Sequence, residues 1–154
     1  MNFFSSLQNI GVQSSYAEFK NNKIKISNIA AFCIIVLVAL PFVIISITYA
    51  PSLTFIPAVG IVAMMLVWVF NRMGAIYLAR IISAVTPLLL TVLFIAYLTD
   101  KDDELPLVLV LIALAFSILP FLVFDVRENS YLIFSALFNF LIFIGLGTLS
   151  EFFV

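Results

Sequence analysis

The sequence predicts an all-α fold, a polytopic transmembrane helical bundle of five spans. Three observations carry that expectation. Hydrophobic residues make up 65% of the 154-residue chain and charged residues only 10%, against about 45–50% and about 25% in soluble domains. A chain this short has too little interior to hide so much apolar surface, so lipid must solvate most of it. The apolar residues also fall in runs close to the roughly 20 residues that cross about 30 Å of hydrocarbon as a helix. The runs are uninterrupted, whereas the strands of a membrane barrel alternate apolar and polar residues.

Taken in order, the segment 1–25 is polar but carries Phe3, Phe4, Leu7 and Ile10. Phe3, Leu7 and Ile10 share one helical face. A short helix in the headgroup region fits this pattern. A partly disordered tail fits equally, because Gly11 and Ser14-Ser15 weaken a helix. The transmembrane domain then occupies 26–154. Ser27 or Asn28 is placed to cap its first span, about 29–49. Pro41 lies inside that span and implies a kink that serves packing, its freed carbonyl satisfied by neighbours. Ala50-Pro51-Ser52 turns the chain into a second span, about 53–70. Pro57 sits in its first turns, where a missing amide matters less. Trp68 falls near its far end, where an indole favours the membrane interface. A third span, about 78–98, follows the polar turn Asn71 to Gly74 and contains Pro87. The fourth, about 105–124, opens on Pro106, a residue suited to a first helical turn, and contains Pro120. Residues 125–130 form a polar turn, with Asn129 or Ser130 as cap of a fifth span, about 131–149.

Five spans place the polar turns on alternate sides. Lys20, Lys23, Lys25, Arg72, Arg80 and Arg127 share one side, and only Lys101 falls on the other. Short loops with excess lysine and arginine stay in the cytoplasm. The N-terminus is therefore expected inside, in the bacterial inner membrane, with the acidic loop outside. The apolar ending Phe152-Phe153-Val154 reads as truncation.

The composition excludes several chemistries. There is no histidine and one cysteine, Cys33, so imidazole catalysis, an intramolecular disulfide and a cysteine zinc site are out. No catalytic, cofactor-binding or metal-binding set is found, and the chain is not expected to be an enzyme. No Asp, Glu, Lys or Arg falls at mid-span, which argues against a proton relay. Asn139, near the middle of the fifth span, is the strongest buried polar candidate. Helix-helix bonding is its main reading and a ligand contact the alternative. Arg80 and Asp125 meet at the same membrane edge. An ion pair tying the third span to the fourth is one reading, two separately solvated charges the other. Asp100, Asp102, Asp103 and Glu104 form the densest charge. A solvated hairpin loop explains them, with a cation or basic ligand as the alternative.

Three short motifs carry a resemblance. They are Lys23-Ile24-Lys25-Ile26-Ser27-Asn28, then Asn71-Arg72-Met73-Gly74 with Ala79-Arg80, then Pro120 through Phe124-Asp125-Val126-Arg127-Glu128. In order and side they resemble the multi-span N-terminal membrane module of bacterial signalling proteins, which precedes histidine kinase, nucleotide cyclase or DNA-binding output domains. The resemblance implies a sensing and anchoring role, a sixth span in the full protein, and kinase or cyclase activity only in a domain not present. The implied partners are the lipid bilayer, a second copy of the chain, and a downstream output domain, with no nucleic acid bound by this segment. The alternative is a complete small membrane protein acting as a subunit of a transporter or membrane assembly.

Overall fold

The computed structural model describes residues 3–98 and 107–152. Among these there are helices and turns and no strand, so the fold is the expected all-α bundle. The helices are α1 (Phe3–Gln8), α2 (Glu18–Ile34), α3 (Leu40–Tyr49), α4 (Phe55–Arg72), α5 (Ile76–Leu98), α6 (Leu107–Ser117), α7 (Leu119–Val123) and α8 (Asn129–Phe152). A π-helical turn, Ile35–Ala39, fuses α2 and α3 into one helix of 32 residues, Glu18–Tyr49.

Four helical stretches are long and apolar enough to cross a membrane: Glu18–Tyr49, Pro51–Arg72, Ile76–Leu98 and Val126–Gly145. The expected fourth span is shorter among the described residues, and its expected opening at Pro106 lies outside them. It is described from Leu107 to Val123 and interrupted at Ile118. It rises roughly 26 Å at 1.5 Å per residue, close to the lower limit for a crossing. Contacts fix its direction. Tyr77 stacks on Tyr131 at 4.5 Å, and the Ala84 carbonyl accepts a bond from Asn139, so α5 and α8 run parallel. The Phe116 carbonyl faces Asn139 and the Leu122 carbonyl faces Lys23, so α6 and α7 run the opposite way. The chain is a multi-pass helical membrane protein.

Its outer surface agrees. Leu37, Ile44, Phe121, Phe134 and Phe140 are each more than half exposed. Contiguous apolar patches of this kind are not sustained in water, and hydrocarbon is their natural solvent. The core centres on α5, which packs against α2, α4, α6, α7 and α8. Ala79, Ser83 and Ala84 are fully buried on it, and such small residues let neighbouring helices approach closely.

The structure corrects several boundaries. α2 begins at Glu18, so Ser27 and Asn28 are buried mid-helix and cap nothing. Hydropathy marks where the apolar run starts, and the helix continues through the polar turns before it. The helix also runs across the expected division between 1–25 and 26–154. Neither Asn129 nor Ser130 caps the last span. Asp125 caps the 3₁₀ turn Val126–Glu128, and α8 follows it without a gap. Pro41 produces a π turn in place of a plain kink: the Leu40 amide donates to the Ile35 carbonyl, five residues back. A proline ring crowds the carbonyl four residues before it, and the widened turn makes room there.

Candidate functional site: a polar corner at one end of the bundle

Ends of α2, α4, α5, α7 and α8 and the N-terminal segment meet at one end of the bundle, and each brings polar groups. α1 is too short to hold itself together in isolation. It buries Leu7 and is anchored from outside. The Asn28 amide donates to the Gln8 carbonyl at 3.1 Å and to the Ile10 carbonyl at 2.9 Å. These two acceptors lie at and just past the C-terminus of α1, where carbonyls lack helical partners. Gly11, at φ +79°, then turns the chain against α4. A Cβ at Gly11 would stand 2.3 Å from the Asn71 carbonyl oxygen, so only glycine fits.

Asn71, fully buried, carries the network from α4 to α2. Its amide donates to Asn28 Oδ1 at 2.8 Å and to Ser27 Oγ at 3.1 Å. Ser27 in turn donates to the Ile24 carbonyl of its own helix. The Trp68 indole, one turn before Asn71, donates to the Asn28 carbonyl at 3.2 Å. Two asparagines, a serine and an indole thus bind α1, α2 and α4 together. In an apolar setting each such bond removes the cost of an unpaired polar group.

The second half of the corner is ionic. Arg80 on α5 is fully buried, and its Nη1 donates to both Glu128 carboxylate oxygens, at 2.9 and 2.7 Å. Nη2 donates to the Lys20 carbonyl at 3.1 Å, which ties α2 into the same set. Glu128 is held in place by its own turn. Its carboxylate accepts from the Asp125 amide, while Asp125 Oδ1 accepts from the Arg127 amide, a reciprocal capping box. Arg80 therefore pairs with Glu128, and the expected partner Asp125 shapes the turn that presents it. Rings surround these charges. Arg80 and Lys20 both lie over Tyr77, at 5.9 and 5.4 Å from its centroid. Arg127 lies over Phe19 at 5.3 Å. Cation–π attraction of this kind is worth about 0.5–2 kcal/mol per contact. Lys23 adds a bond from its ammonium to the Leu122 carbonyl at the end of α7.

Asn139 lies deeper. It donates to the Ala84 carbonyl at 3.0 Å and to the Phe116 carbonyl at 3.5 Å, joining α8 to α5 and α6. Asp100, Asp102, Asp103 and Glu104 lie outside the described residues. No group of three His, Cys, Asp or Glu placed to hold a metal occurs among the described residues. Cys33 is exposed on the outer face of α2.

Sequence reasoning missed the Asn28–Asn71 bridge and the docking of α1. A signal was present: two asparagines and a serine flank apolar runs that return to the same side of the membrane. Comparison with known protein families, with characterised proteins and with solved structures finds no match.

Proposed function

We propose that this chain is the membrane-embedded sensing and anchoring module of a bacterial signalling protein, with its N-terminus and polar corner in the cytoplasm. The observation that carries the reading is the meeting of all three resembling motifs at one place. Ser27-Asn28 bonds Asn71, and Arg80 bonds Glu128. Residues scattered over a hundred positions hold one junction of helix ends. A junction of that kind suits a module that passes a change in helix packing to an attached output domain. The lysine and arginine bias supports placing it inside.

In this mechanism a stimulus in the bilayer or at the outer loops biases one of two packings. Motion of α2 or α5 is read at the Arg80–Glu128 pair, because a buried ion pair tolerates little change in geometry. No catalytic step belongs to these residues. The reading frame past Val154 gives the first test. A sixth span followed by a catalytic or DNA-binding domain supports the module, and a stop codon hands the chain to the subunit reading. In the full protein, Glu128→Gln should change output activity while leaving membrane insertion intact. Unchanged output across stimuli would defeat the proposal.

A further inference from the structure

Three helical stretches, one through a π turn and two through a proline, line one small cavity. The π turn Ile35–Ala39 forms one wall, contributing Val38 and Ala39, with Phe42 just beyond. α4 contributes Pro57 and Gly60, where the Leu90 methyl of α5 packs 3.2 Å from where a Cβ would stand. α5 contributes Pro87 and Thr91, and Phe116 of α6 closes the floor. The volume is about 50 Å³. Pro41, Pro57 and Pro87, far apart in sequence, thus act on one place.

Thr91 is the only side chain in the lining with a polar atom, and its hydroxyl already donates to the Pro87 carbonyl at 2.8 Å. A water needs two to four polar partners, so water is disfavoured here. Ile56, Pro57, Gly60, Pro87, Phe94 and Phe116 are buried, while Val38, Phe42, Leu90 and Thr91 are partly exposed. The mouth therefore opens on the hydrocarbon side, past the edge-to-face pair Phe42–Phe94 at 5.2 Å. Pro57 lies six residues beyond Pro51 and Pro87 eleven before Leu98, roughly 9–17 Å along the helices. In a core about 30 Å thick, that is near the midplane, where acyl chains end. An unfilled gap forfeits the dispersion contacts of its walls. The volume admits the last carbons of a chain and excludes a headgroup.

From this geometry we infer a lipid subsite: the cavity holds the methyl-terminal end of a bilayer acyl chain, inserted past Phe42 against the π turn. The inference stands whatever role the chain has. The full chain in lipid nanodiscs tests it, using phospholipid with a photoactivatable diazirine near the chain end. Labelling is mapped by residue at Val38, Phe42 and Thr91, with exposed Val62 and Phe134 as bulk-lipid controls. Ala39→Leu fills the cavity, and Ala39→Val does so more gently should the leucine variant fail to fold. The expected result is a fall of about fivefold at the three cavity positions with the controls unchanged, the factor left by a modest loss of packing energy. A probe near the headgroup should label the cavity positions weakly in every form. Labelling unaffected by the filled cavity, or falling equally at Val62 and Phe134, overturns the subsite.

Discussion

Arg80 is the residue on which the ionic half of the corner turns. Its guanidinium is wholly removed from solvent, with Nη1 and Nη2 donating to one carboxylate and one carbonyl while the buried Nε has no partner. Removing one partner of a buried pair strands the other charge, at about 3–5 kcal/mol. Arg80→Ala and Glu128→Ala should each lower stability by that amount in reversible detergent unfolding. A double-mutant cycle should give a coupling above about 1 kcal/mol for Arg80 with Glu128, and below about 0.5 for Arg80 with Asp125. Asn139→Leu is milder: bonds of this kind in membranes average about 0.6 kcal/mol each and reach at most about 1.7. The sequence made Arg80 and Asn139 legible because a charge or amide beside an apolar run needs a partner. It hid the identity of Arg80's partner. Asp125 and Glu128 are three residues apart, and only the capping turn decides which carboxylate points inward.

Among the elements, α1 and the π turn were the least legible. A six-residue helix with Phe3 and Phe4 exposed gives no periodic signal long enough to separate docking from disorder. Its position depends on Asn28 and on Gly11, which are remote in sequence from the residues they meet. Local opening of such a weakly held element lies at the low end of the stability range. Gly11→Ala should undock it, since φ is positive and the new methyl would strike the Asn71 backbone. Trp68 is the chain's only tryptophan and sits beside Gly11 and Ile10. Its emission should shift red and its quenching by acrylamide should rise in Gly11→Ala and in Asn28→Ala. Unfolding of α4 and α5 should move by little more than about 1 kcal/mol in Gly11→Ala, and by about 1–3 kcal/mol in Asn28→Ala, which removes one acceptor of the buried Asn71 amide. An unchanged Trp68 signal would mean that α1 does not cover it.

At the scale of the molecule, the helical class and the membrane were plain in composition, because no other solvent accommodates this much apolar surface. The positions of the long spans were legible to within a few residues at their apolar edges. The start of α2 was not, since Lys20, Asn21, Lys23 and Lys25 look like a loop when hydropathy alone is read. Antiparallel placement of α6 and α7 between parallel α5 and α8 requires the chain to return between them. Reporters that are active on only one side should therefore disagree when inserted at Met73-Gly74 and within 100–104. Agreement between the two sites would contradict the threading and the cytoplasmic assignment of the corner.

The π turn also makes the chain tolerant of one particular loss. Five residues there occupy the arc that four occupy in an ordinary helix, so Ile35–Ala39 contains one residue in excess. Deleting Leu37, which points into lipid at 70% exposure, would let the helix close into α form, with a kink where the Pro41 ring meets the carbonyl four residues before it. Everything on either side would keep its face. Deleting Ile44, equally lipid-facing but within regular helix, would swing one flank by about 100° and scramble the contacts beyond it. Accumulation in the membrane after the first deletion and loss after the second would mark this turn as a spare residue built into a spanning helix.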